Sequence, residues 1–241
     1  MEPAERAATE ILATIEATYT ATHEYVVVDP QSFRHLDLVF YERTAQVLSV
    51  EGFRRVADME ERTVTATPGG KLMPVLIRSM RSKDGAIMVA LYHPRIKPVG
   101  VRILLWLLGK LPGKVVDMET EFQDGSFVVT SNAASAVGFD LPTLISAEYM
   151  PAKSSVLGVL QRHIVRVTAH TAARPGVASK KVVTHAELLA SQNRLNAIKA
   201  AFRGEIGGIT KDELDRLAIY GKSISGDVHA VILRERVRRA S

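Results

Sequence analysis

The sequence predicts an α+β fold: an antiparallel meander sheet of about four to six strands with two Asp-Gly hairpins, covered by helices, and a C-terminal helical layer. Three observations carry the prediction. In Lys114–Ala134, KVVDMETEFQDGSFVVTSNAA, Val116, Met118, Thr120 and Phe122 alternate with Asp117, Glu119 and Glu121, the period of a half-buried antiparallel strand. Asp124-Gly125 follows, where glycine tolerates the positive φ of a two-residue hairpin turn. The return strand Phe127–Thr130 is aromatic and β-branched, as a pleated surface prefers. The same device recurs upstream in Met73–Arg81, Asp84-Gly85 and Ala86–Tyr92. Downstream of Ser154, apolar residues instead recur at helical spacing behind capping signals.

Residues 4–21 place Ala4, Ala7, Ala8, Ile11, Leu12, Ile15 and Tyr19 on one helical face. Tyr25–Val28 reads as a short strand. Asp29-Pro30 reads as an N-cap and first helical position, opening a helix through Phe33, Leu36, Val39, Phe40, Val47 and Leu48 to Gly52. Arg54–Thr67 is strand-like and ends at the Pro68-Gly69-Gly70 turn. Leu141–Tyr149 is expected to form a short helix from near Pro142. Ser154 or Ser155 caps the next, with Val156, Leu157, Leu160, Ile164 and Val167 as its stripe. Thr184 with Glu187, and Thr210 with Glu213, have capping-box spacing. The predicted division is a sheet domain over 1–176 and a helical layer over 177–241, packed on the same domain.

Composition narrows the functional classes. The apolar share is 46% and the charged share 24% of 241 residues, which is ordinary for a globular chain. The absence of cysteine excludes disulfide scaffolds, thiolate metal sites and a cysteine nucleophile. The opening MEPAER has neither a basic n-region nor an apolar h-region, so a cytoplasmic location is expected. The net charge of +5 favours anionic partners only where the cations cluster.

They cluster once in the middle of the chain. Pro94–Pro112 holds six consecutive apolar residues, Ile103–Leu108, including the only tryptophan, a run well short of the about 20 that span a bilayer. The general expectation for such a run is a buried crossover helix. The alternative is an interfacial helix on an anionic membrane surface or a protein partner. Leu105, Trp106 and Leu108 would then meet the surface, with Arg102 and Lys110 facing acidic headgroups beside Arg95, Lys97 and Lys114.

Other constellations carry less. Asp117, Glu119 and Glu121 could hold a hard cation or act as an acid/base pair, though alternating acids more often form a solvated face paired with Lys or Arg. His93 at a strand end and Asn132 after the second hairpin complete a candidate catalytic pocket. His163 and His170 lie seven apart, about 10 Å of helix rise, too far for one metal. The terminal segment outlines a helix-turn-helix in which Lys222, Arg234, Arg236 and Arg238 would touch phosphates; nucleic acid ranks below the other partners. No P-loop, dinucleotide fingerprint or nucleophile elbow is present. No cofactor and no metal are expected. The expectation is therefore a binding or regulatory module, with an acid/His enzyme and a DNA-binding protein as the alternatives.

Overall fold

The computed structural model describes residues 3–63, 73–95, 113–133, 139–217 and 225–240. Its elements are α1 (Pro3–Thr18), β1 (Tyr25–Val27), a 3-10 turn (Pro30–Phe33), α2 (Leu38–Val50), β2 (Arg54–Glu61), β3 (Leu76–Arg81) and β4 (Met88–Tyr92). They continue with β5 (Val115–Glu121), β6 (Phe127–Ser131), β7 (Ile145–Tyr149), α3 (Val156–Ala173), α4 (His185–Glu205), α5 (Lys211–Leu217) and α6 (Ser225–Ala240).

One mixed sheet of seven strands runs in the order β1 to β7, antiparallel throughout except for the parallel pair β6/β7. The strand number exceeds the four to six expected because β7 adds a strand at one edge. The segment read as a helix at Leu141–Tyr149 is β7. Its Ile145, Ala147 and Tyr149 pair with Phe127, Val129 and Ser131, and that pairing outweighs a weak local preference. Near the N-terminus, Asp29 caps only the 3-10 turn. The long helix starts eight positions later than Pro30 at Leu38, where Asp37 takes the Phe40 amide.

The Asp-Gly connections are longer than a two-residue turn. Phe122 N donates to Ser126 O, and Gly125 N to Phe122 O. Gly125 sits at φ 82° and Gly85 at φ 77°. In both loops the aspartate is a local acceptor: Asp84 for Ser82 Oγ and the Ala86 amide, Asp124 for Ser126 Oγ and the Ser126 amide.

The chain divides into two compact units. The sheet unit holds 23–137 and 143–193. On one face of its sheet, α2 and α3 enclose the main core of Tyr41, Leu48, Leu76, Met80, Leu91, Met118 and Val159. The opposite face carries a smaller cluster, Met59, Met88, Val182 and Leu188. The helical unit holds 1–22, 138–142 and 194–241; there α1 packs on α6 through Ala8, Ile11, Leu12 and Ile15 against Val228 and Ile232.

Candidate functional site

Asp117, Glu119 and Glu121 do share one face of β5, and each is engaged by the protein itself. The Tyr92 hydroxyl donates to Asp117 Oδ2 at 2.6 Å. Burial, reinforced by the neighbouring carboxylates of Asp117 and Glu119, pushes that phenol well above its ordinary pKa. Gln192 Nε2 donates to Glu119 Oε2. Glu121 is 1% exposed and receives Lys180 Nζ at 2.6 Å and Ser191 Oγ at 2.7 Å. The acid row is thus flanked by α4 and the irregular segment before it, which supply Ser191, Gln192 and Lys180 as donors. A working acid/base pair needs a carboxyl poised to exchange protons with a substrate. Here each carboxylate is held by donors of the protein itself.

His93 follows Tyr92 and so belongs to the other face by strand alternation. Its pKa is lowered, first by burial and then by Arg95 and Lys114. Asn132 is consumed by backbone: Oδ1 accepts from Val116 N at 2.8 Å and Nδ2 donates to Lys114 O at 3.2 Å. The structure therefore brings together the three acids, while His93 and Asn132 serve other places. Among the described residues no group of three His, Asp or Glu side chains is arranged to hold a metal ion.

His163 is fully buried between two strands, Nε2 3.0 Å from Thr120 Oγ1 and Nδ1 3.0 Å from Thr130 Oγ1. His170 joins a Ser-His-Asp set invisible to the sequence reading: Ser126 Oγ lies 2.6 Å from Asp124 Oδ1 and 2.9 Å from His170 Nε2. Arg174 Nη1 donates to Nε2 at 2.8 Å, so that nitrogen is the acceptor, and the serine proton goes to Asp124. In a hydrolytic triad the acid orients the imidazole; here it binds the serine, which is 1% exposed. The set clamps the hairpin tip to the end of α3.

The basic end of the sheet has a different character. The β2–β3 and β4–β5 connections both leave from the end defined by Glu60, Leu76, Tyr92 and Val115, and Met73 N donates to Arg95 O at 2.7 Å, joining their feet. Beside them Lys114 Nζ pairs with Asp37 at 2.6 Å and lies 5.8 Å from the Phe40 ring. This pairing holds the Asp37 carboxyl below its usual range. Arg102, Leu105, Trp106, Leu108 and Lys110 lie outside the described residues, as does Lys222. Of the terminal arginines, Arg238 pairs with Glu235, and Arg236 turns toward the carbonyls of Arg203 and Gly204. Arg234 is exposed.

No described helix is long and apolar enough to cross a membrane. Comparison with protein-family models, with curated proteins and with solved structures finds no match.

Proposed function

We propose that the chain is a non-enzymatic binding or regulatory module that rests on an anionic membrane surface through Val99–Leu111. One observation carries the reading: the two long connections share one sheet end. Their sequences hold Lys71, Arg95, Lys97, Arg102 and Lys110, besides Arg62 and Lys114, which pair with Glu60 and Asp37, and no Asp or Glu lies between Arg62 and Val75 or between His93 and Lys114. Each such cation near an acidic leaflet is worth about 1 kcal/mol, and Trp106 with its leucine neighbours supplies the apolar contact that an interfacial segment needs. The acid row supports the same reading from the other side, since its carboxylates are matched within the protein.

Co-sedimentation with vesicles tests this. The protein pellets with mixed phosphatidylcholine–phosphatidylserine vesicles, less so with pure phosphatidylcholine, and salt weakens the binding. A Leu105→Ser, Trp106→Ala double variant stays in the supernatant. Equal partitioning of the wild type and the double variant removes the membrane reading, and leaves a protein partner as the surface to look for.

A further inference from the structure

We propose that the sheet unit pairs with a second copy of itself through the outer face of α3, the two helices lying antiparallel. A helix at a protein surface ordinarily turns charged or polar residues to solvent, and a helix apolar all round is a buried one. In α3 both sides lack charge. Its inner face holds Val159, Leu160 and His163 in the core. On the opposite face Leu157, Ile164 and Val165 are 38%, 47% and 56% exposed, and Gln161, Thr168 and Ala172 beside them are exposed too. At helical pitch these six positions fall within about 100° of arc. Arg162, at the margin of the stripe, is held by Glu148 through two bonds of 2.7 Å, so its charge is met within the chain.

The stripe is complementary to its own reverse. A two-fold axis between Ile164 and Val165, the midpoint of the helix, sets Leu157 opposite Ala172, Gln161 opposite Thr168 and Ile164 opposite Val165. A large side chain thus meets a small one, an amide meets a hydroxyl, and a branched apolar pair fills the centre. No charge is set against another. A membrane surface fits this face less well, because an interfacial helix needs Lys or Arg for the acidic headgroups and Arg162 is engaged by Glu148. Ile164 also lines a hollow of about 520 Å³ with Phe53, Ile87 and Leu160, bordered by Glu51, Lys83 and Asp84. The apolar face therefore has the charged margin of a contact surface. With 18 residues, α3 is about 27 Å long and about 10 Å across, so the contact is smaller than the about 800 Å² per partner of a standard interface. The dimer is a weak one, populated at micromolar concentrations and above.

Sedimentation equilibrium of the full chain, from about 1 μM to about 1 mM, tests the pairing. The weight-average mass rises with concentration from that of one chain toward that of two. Val165→Glu, at a position already open to solvent, sets two carboxylates beside the axis and weakens association about tenfold or more. Val237→Glu places the same charge at a valine of α6 that is 72% exposed, and leaves association unchanged. The chain has no cysteine, so introduced thiols report the register. Leu157→Cys mixed with Ala172→Cys cross-links under mild oxidation more than either variant alone, and this pair decides the matter should circular dichroism show Val165→Glu misfolded. A chain that stays monomeric throughout, a dimer indifferent to Val165→Glu, or a mixed cross-link no stronger than the single ones overturns the proposal. Vesicle binding by the monomer that Val165→Glu abolishes also overturns it, and assigns the face to lipid.

Discussion

Falling pH should destabilise the sheet unit through His163. The ring is 0% exposed, and its two nitrogens sit 3.0 Å from the hydroxyls of Thr120 and Thr130, so a neutral imidazole donates at one side and accepts at the other. Burial, and secondarily Arg166, lowers its pKa to about 3. The folded state therefore binds fewer protons than the unfolded state, whose histidine titrates near about 6.5. Stability from the neutral ring is complete above that value, is lost as pH falls below it, and stops falling at about 3. Between pH 7.5 and 5 the loss is about 2 kcal/mol, at 1.36 kcal/mol per unit of pH below the unfolded pKa. Urea unfolding followed by circular dichroism at both pH values measures it, with His163→Gln as reference. Glutamine offers a donor and an acceptor but does not titrate, so the pH-dependent drop is smaller in the variant by about that amount. Equal drops in the two proteins, or a His163 NMR titration with a midpoint near that of a free histidine, would refute the reasoning.

Two further outcomes follow from the packing. Arg78, 1% exposed, is clamped by Asp58 at 2.7 Å and Glu42 at 2.7 Å; Arg78→Met strands a buried aspartate and costs about 3–5 kcal/mol. Arg55→Ala, at a half-exposed partner of the same carboxylate, costs about 1 kcal/mol or less, and similar denaturation midpoints for the two variants would contradict this contrast. Gly125→Ala meets nothing within 4 Å and bears only the strain of its φ of 82°, about 1 kcal/mol. Gly85→Ala adds a Cβ 2.8 Å from Val182 O, and its melting temperature falls further than that of Gly125→Ala.

Signals confined to one turn of chain were legible. Ser155 accepts from Gly158 N, Glu187 accepts the amides of Val183 and Thr184, and Glu213 accepts that of Thr210, as their spacing predicts. What lay hidden is long-range. The two capping boxes look alike in sequence, yet Glu187 is an exposed local cap while Glu213 is 0% exposed and also receives Arg203 and the Asp140 amide. Nothing local to Thr210–Glu213 announces a partner ten residues away, or one 73 residues away. The strand period placed Asp117, Glu119 and Glu121 on one face, but periodicity assigns a face without saying what covers it. Ser191 and Gln192 come from a helix 70 residues on.

That limit bears on where function should be sought. A polar face that a fold covers must supply its own donors, and Lys180, Ser191, Gln192 and Tyr92 do so for the acid row. The same accounting applied to cations closes at the feet of the two connections, where Asp37 answers Lys114 and Glu60 and Glu24 answer Arg62. In the helical unit Glu213 answers Arg203.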